Sequence, residues 1–157
     1  MMMWKGKNGK FREGERFVYI GEYNHTLDAD GRISLPQAII NNADSSFIVV
    51  RGIEECVYVF DLNEWEHFLE KINEMAFTKK HTREFQRLLL SGAYQVERDS
   101  KGRINLHQKL IDHAKLKKEC VIIGAANKME IWDRKIWEEY LNSHQNEIEK
   151  ISEEIEI

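Results

Sequence analysis

The chain states one motif twice. Asp28-Ala29-Asp30-Gly31-Arg32-Ile33-Ser34-Leu35 returns as Asp99-Ser100-Lys101-Gly102-Arg103-Ile104-Asn105-Leu106. Gly31 and Gly102 lie 71 residues apart, and the same offset aligns Gly21 with Gly92, Tyr23 with Tyr94, Asp28 with Asp99, and Arg32 with Arg103. Further on, Tyr58-Val59-Phe60-Asp61 matches Glu130-Ile131-Trp132-Asp133 at an offset of 72, so the second copy gains one residue. An internal repeat bounds the architecture before any other feature does. This one calls for two copies of a single module, each presenting a turn with an acid, a glycine and an arginine.

The turn is readable from its residues. Glycine accepts positive φ without a Cβ penalty, so Asp-Gly and Lys-Gly ahead of alternating apolar residues mark a tight turn. An aspartate at its start hydrogen-bonds nearby backbone N–H groups, the role expected of Asp28 and Asp99. Ile33 and Leu35 then point one way and Ser34 the other, as in a half-buried strand. Each arginine sits at the first residue of that strand. Two readings stand: the arginine pairs with its own aspartate and stiffens the turn, or it is displayed for a partner. A calcium loop is excluded. Asp28-x-Asp30 begins like one, but the fifth, sixth and twelfth positions are Arg32, Ile33 and Ile39.

A module of about 70 residues is near the size at which a lone core is marginal, so the two are expected to pack together or on other chains. The 157 residues are 42% apolar and 32% charged. No apolar run reaches the roughly 18 residues of a membrane span, and the basic start leads into no signal-peptide core. Cys56 and Cys120 lack metal-site spacing and lie in apolar runs, as reduced buried thiols of a cytoplasmic protein would. The net charge of −4 is uneven: residues 1–16 carry +3, residues 141–157 carry −4, and the remainder carries −3. A nucleic-acid surface is local, so the total does not exclude one.

Residues 1–16 read as a flexible basic leader, either structureless or touching DNA. Module one with its linker helix spans 17–90, module two 91–141, and an acidic helix or tail 142–157. In module one, Pro36 opens a short helix with Ala38, Ile39 and Ile40 inward. Phe47-Ile48-Val49-Val50 and Val57-Tyr58-Val59-Phe60 read as buried strands joined through Gly52. Asn63 with Glu66 forms a capping-box signature for a helix with Trp65, Phe68, Leu69, Ile72 and Met75 inward. Thr78 is the expected cap of the next helix. There Phe85, Leu88 and Leu89 face inward, and Lys79, Arg83 and Arg87 form a solvated charge stripe. Module two repeats the plan with a helix near Gln108 to Ala114 and strands Cys120-Val121-Ile122-Ile123 and Met129-Glu130-Ile131-Trp132. Asp133 caps a last helix continuing through Leu141, His144, Ile148, Ile151 and Ile155. That seam covers barely two heptads and packs on the body or on a neighbouring subunit.

Catalytic patterns are missing from the sequence. No histidine sits at a metal-ligand spacing, no glycine loop has the P-loop or dinucleotide form, and no serine has a nucleophile-elbow context. His25 lies near the first turn, but its counterpart is Val96, so it reads as solvent-facing or hydrogen-bonded. The reading is a non-enzyme with no cofactor, no metal and no small-molecule substrate.

The repeated turn, Gly21-Glu22-Tyr23 before it, Leu88-Leu89-Leu90-Ser91-Gly92-Ala93 between modules and Met129-Glu130-Ile131-Trp132-Asp133 near the end together resemble the MraZ family, over about residues 17–141. The resemblance implies an α+β, mainly β fold, with two tandem AbrB-like modules forming an intrachain swapped-hairpin β-barrel with flanking helices. It implies a sequence-specific DNA-binding transcriptional regulator of its own division and cell-wall operon, binding direct repeats upstream. Such a protein is cytoplasmic and nucleoid-associated, assembles as a homo-oligomeric ring, and has no membrane partner. Carried onto this chain, Arg32 and Arg103 reach DNA at base edges or phosphates, Gly31 and Gly102 permit close approach, and Asp28 and Asp99 shape the turns. Lys101 is a candidate phosphate contact, and Leu141, Ile148, Ile151 and Ile155 are candidate oligomerisation residues. Two departures stand out. Asp30 lowers the positive charge of the first turn where Lys101 keeps it in the second, and His107 replaces a usual proline, weakening that helix start. The rival reading is an AbrB-like antitoxin or scaffold acting mainly through protein contacts.

Overall fold

The computed structural model describes residues 2–4, 18–40 and 45–155. Strands β1 (Met2–Trp4), β2 (Val18–Ile20), β3 (Glu22–Thr26) and β4 (Arg32–Ser34) precede helix α1 (Gln37–Ile40). Strands β5 (Ser46–Arg51) and β6 (Val57–Asp61) lead into α2 (Leu62–Asn73) and α3 (Lys80–Leu90). The second module runs β7 (Tyr94–Glu97), β8 (Arg103–Asn105), α4 (Gln108–Ala114), β9 (Glu119–Gly124), β10 (Met129–Asp133), α5 (Arg134–His144) and α6 (Ile148–Glu153).

The central sheet has the order β3-β9-β10-β6-β5-β7, every pairing antiparallel. Under the repeat, β3 corresponds to β7, β9 to β5 and β10 to β6, so the order reads the same from either end. Its pseudo-two-fold runs between β10 and β6. The first strand of each module lies on a strand of the other: β3 on β9, β7 on β5. The modules therefore share one sheet by exchange, and neither has its own. The sheet is open, with β3 and β7 at its ends, so the closed barrel of the resemblance is not what this sheet forms. The four inner strands are largely apolar because both their faces are covered, with Glu130 the one charged residue inside them. Alternate residues feed two cores. Phe47, Val49, Val57, Val59, Ile122 and Ile131 look toward β4, β8 and α4. Ile48, Val50, Tyr58, Phe60 and Trp132 look toward α2, α3 and α5. The molecule is layered, with the motif strands on one side of the sheet and the long helices on the other.

Several local expectations are corrected. Asn63 does not cap α2; Asp61 does, accepting from the Glu64 N–H at 2.8 Å. Asp61-x-x-Glu64 overlaps Asn63-x-x-Glu66, and the Tyr19 hydroxyl donating to Asp61 at 2.5 Å selects the former. Met75 lies past the end of α2 and is 39% exposed. Thr78 does not cap α3, whose N-cap is Lys79 with no side-chain bond. Phe85 and Leu89 join the core, but Leu88 is 68% exposed. His107 does not weaken α4: its ring Nδ1 accepts from the Lys109 N–H at 3.1 Å and stacks on Tyr94. The seam beyond Leu141 is not one helix, because α5 stops at His144 and α6 resumes at Ile148. Ser143 and His144 both turn their side chains to the Tyr140 carbonyl, the local competition that unsettles a helix. Of the leader expected to be flexible, Met2–Trp4 pairs with β2, and residues 5–16 lie outside the described residues. The expected inward side chain of Ile40 is likewise outside them. Asp133 caps α5 as read from the sequence, and both cysteines are free and buried.

Candidate nucleic-acid interface

Each turn is built by its aspartate. Asp28 Oδ1 accepts the N–H groups of Asp30 and Arg32, both at 2.9 Å, and its Oδ2 accepts from Arg32 Nε at 3.1 Å. Asp99 repeats the arrangement: Oδ1 accepts from Lys101 and Arg103 N–H, both at 2.9 Å, and Oδ2 from Arg103 Nε at 2.7 Å. These bonds favour the charged carboxylate. The Arg32 N–H holds the Asp28 carboxyl below its usual range, and the Arg103 N–H does the same for Asp99. Gly31 and Gly102 have φ of +81° and +76°, where a side chain is strained.

The two turns are locked to each other. The Gly31 carbonyl accepts from the Leu106 N–H at 2.8 Å, and the Gly102 carbonyl accepts from the Leu35 N–H at 2.9 Å. Between them β4 and β8 pair antiparallel, with Ile33 opposite Ile104, Arg32 opposite Asn105 and Ser34 opposite Arg103. Directly opposite residues share a face, and successive residues alternate. Ile33 and Ile104 are both fully buried, so Arg32 and Arg103 both leave from the outer face of the ribbon. Strand rise and spacing put their Cα atoms roughly 8 Å apart on a diagonal. The structure thus brings Asp28, Gly31, Arg32, Asp99, Gly102 and Arg103 into one unit, with exposed Lys101 at its edge.

The first sequence reading of the arginine, a pair with its own aspartate, is what the geometry shows. Arg32 and Arg103 pair with their own aspartates, yet their side chains remain 37% and 28% exposed. They differ in a second respect. Asp30 Oδ2 accepts from Arg32 Nη2 at 3.1 Å, whereas Lys101 holds the equivalent place in the second turn. The terminal amino groups of Arg103 make no hydrogen bond among the described residues. Guanidinium is a planar fork suited to two parallel hydrogen bonds, and with Nε held, the terminal pair is what a ligand would meet.

The remaining candidates lie elsewhere. Arg83 and Arg87 are on α3, in the layer across the sheet from the ribbon, and Arg83 donates to the carbonyls of Phe77 and Thr78. Leu141, Ile148, Ile151 and Ile155 are 39%, 73%, 41% and 57% exposed. His25 is neither solvated nor bonded at Nε2, which is buried without a partner among the described residues; burial lowers its pKa. Burial pushes the Cys120 thiol up to about 11 and Cys56 higher still, the opposite of an activated nucleophile. Among the described residues, no group of three or more His, Cys, Asp or Glu could hold a metal, and no helix is long and apolar enough to cross a membrane. Sequence reasoning missed Asp30's hold on Arg32 and the carbonyl cross-links between turns. The first had a signal, a carboxylate two residues before the arginine; the second had none, because it joins residues of different modules.

A family model of MraZ, described as antitoxin-like, matches the chain twice, over residues 18–88 and over residues 89–155. The two matches follow the two exchanged modules, and the twin turns fall one in each. The chain belongs to the MraZ family.

Proposed function

We propose that the chain is a sequence-specific DNA-binding transcriptional regulator, without catalysis or cofactor, that reads direct repeats upstream of its own division and cell-wall operon. The observation that carries this reading is the β4–β8 register, which sends Arg32 and Arg103 out of one face of a two-stranded ribbon. A two-stranded ribbon fits the major groove of B-DNA, where arginine pairs bidentately with guanine O6 and N7. Arg32 and Arg103 contact DNA in this proposal, and Lys101 contacts phosphate. Gly31 and Gly102 allow the backbone to approach, while Asp28 and Asp99 hold the turns in shape. The swapped-hairpin barrel belongs to the proposal too: β3 leads into β4 and β7 into β8 through the turns, which supports a ribbon that closes the open sheet. A ring of subunits at the nucleoid would engage several DNA repeats at once, multiplying weak contacts.

The test is fluorescence anisotropy against DNA from upstream of its own gene and against a scrambled duplex, over a series of salt concentrations. Preference for the native duplex is expected, and its loss in folded Arg32→Ala and Arg103→Ala. Equal weak binding to both duplexes, indifferent to either arginine, would refute it. The family's description as antitoxin-like favours one other reading, a protein-binding antitoxin or scaffold. That outcome would show a protein complex insensitive to both arginine variants.

A further inference from the structure

The exchange of strands sets a loop of the second module against the turn of the first. The Leu27 N–H donates to the Lys118 carbonyl at 2.9 Å, extending the β3–β9 ladder by one residue beyond Thr26 and Glu119. Lys118 thus stands opposite the residue that precedes Asp28. The backbone of Lys117 is pinned as well: its N–H donates to Asp133 at 3.3 Å and its carbonyl accepts from Cys120 Sγ at 3.3 Å. Leu116 and Leu27 lie in the same core beneath. The loop is fixed, yet both lysine side chains are exposed.

Their neighbours have partners. Lys115 pairs with Glu55 at 2.9 Å and Arg134 with Glu119 at 2.5 Å. Lys117 and Lys118 have no carboxylate within ion-pair distance among the described residues. They sit at one side of a groove of about 440 Å³ that Arg134, Lys135 and Glu138 also line.

The pseudo-symmetric counterpart differs in charge. There the Arg98 N–H donates to the Ser45 carbonyl at 2.8 Å, the same bond in the other half. The place of Lys118 is taken there by Ser45, whose hydroxyl, like that of Ser46 at the start of β5, donates to Glu97. The second turn carries its own cations in Arg98, Lys101 and Arg103. The first has Leu27, Asp30 and an Arg32 held by two carboxylates. The half whose turn is poor in positive charge is the half that receives the lysine loop.

We propose that Lys117 and Lys118 are a phosphate-binding pair for duplex DNA, supplied by module two to the turn of module one. This rests on the DNA-binding reading above. Lysine is a compact, mobile point charge suited to a phosphate, and a phosphate contact carries no base information. The pair therefore adds affinity and leaves sequence choice to the arginines.

The measurement is anisotropy of the full chain with the fluorescein-labelled upstream duplex and a scrambled duplex of equal length, titrated with salt. Lys117→Ala/Lys118→Ala is compared with Lys117→Gln/Lys118→Gln, which keeps most of each stem, and with Lys79→Ala/Lys80→Ala in the opposite layer. Each phosphate neutralised contributes about 0.9 to the salt slope, so losing the pair should reduce the slope by about 1.8. Affinity should fall by the same factor on both duplexes, with native preference kept and circular dichroism unchanged, while the Lys79/Lys80 variant behaves as wild type. An unchanged slope, or an equal loss in the Lys79/Lys80 variant, overturns the lysine proposal. If Arg32→Ala and Arg103→Ala still abolish preference in that case, the regulator reading stands alone. If the wild-type chain shows no preference and ignores the arginines, both fall.

Discussion

Two arginines in the same motif are not equivalent, and a single residue makes the difference. Asp30 accepts a hydrogen bond from Arg32 that nothing among the described residues reproduces at Arg103. An exposed pair of this kind is worth about 0.2–1 kcal/mol, which DNA would have to overcome at the first turn under the proposed function. Asp30→Asn is expected to tighten binding by roughly 1.5- to 5-fold, with a steeper salt slope in the same anisotropy assay; an unaltered affinity would mean Arg32 makes no contact. The aspartates that shape the turns predict a pH dependence. Asp28 and Asp99 are held below the ordinary value of 3.8 by backbone N–H donors. A carboxyl lowered by folding contributes stability that is complete above its unfolded value and lost as pH falls through the folded one. His25 acts earlier in the same direction. Burial lowers its pKa from 6.5, so it stays neutral when folded, and stability erodes as pH drops below 6.5. Urea midpoints measured from pH 7 down to pH 3 should show a decline in each window. His25→Gln should flatten the upper one and Asp28→Asn/Asp99→Asn the lower.

At the scale of the element, α2 and α5 begin alike. Asp61 and Asp133 each end a buried strand and accept from the N–H three residues on, Glu64 and Ile136. Removing such a cap costs about 1 kcal/mol. Asp61 does more, because the fully buried Tyr19 donates its hydroxyl to it. Asp61→Ala removes that buried acceptor along with the cap, a further cost of about 1–3 kcal/mol. Asp61→Ala should therefore destabilise more than Asp133→Ala in thermal or urea unfolding, and equal losses would show that the tyrosine finds another partner. The four inner strands are legible in the sequence, because strands buried on both faces are near-continuous apolar runs, interrupted here only by Glu130 in β10. Asn63 misleads because the capping signature is local, and two overlapping copies of it are separated only by a tyrosine 42 residues upstream of Asp61.

The whole molecule has a layer for the candidate interface and a layer for helices, with the sheet between. That arrangement removes the α3 charge stripe from the interface. It leaves the apolar residues after Leu141 uncovered: Ile148 is 73% and Ile155 57% exposed. If they join subunits, deleting residues 142–157 should lower the number of subunits given by light scattering. DNA containing several repeats should then lose more affinity than DNA with one, since linked sites multiply affinity only when engaged together. An unchanged subunit number would remove the tail from assembly. The turn variants, by contrast, should leave the mass alone, because none of their contacts reaches the tail.

What the sequence determined by itself is local or periodic: the repeat, the glycine turns with their aspartates, the buried strands, the extent of α4 and the Asp133 cap. Each follows from backbone freedom at glycine, short-range hydrogen bonds, or burial on one face or two. The tertiary structure alone decided which strand lies beside which. A run such as Phe47-Ile48-Val49-Val50 declares that it is buried but not who its neighbour is, since strand pairing joins residues far apart in the chain. The exchange of β3 and β7, the common outward face of Arg32 and Arg103, the exposure of Leu88 and the arrival of Lys118 beside Leu27 all depend on that choice. Two similarly patterned halves could each have closed on themselves. Pairing across the module boundary is what turns two separate motifs into one surface.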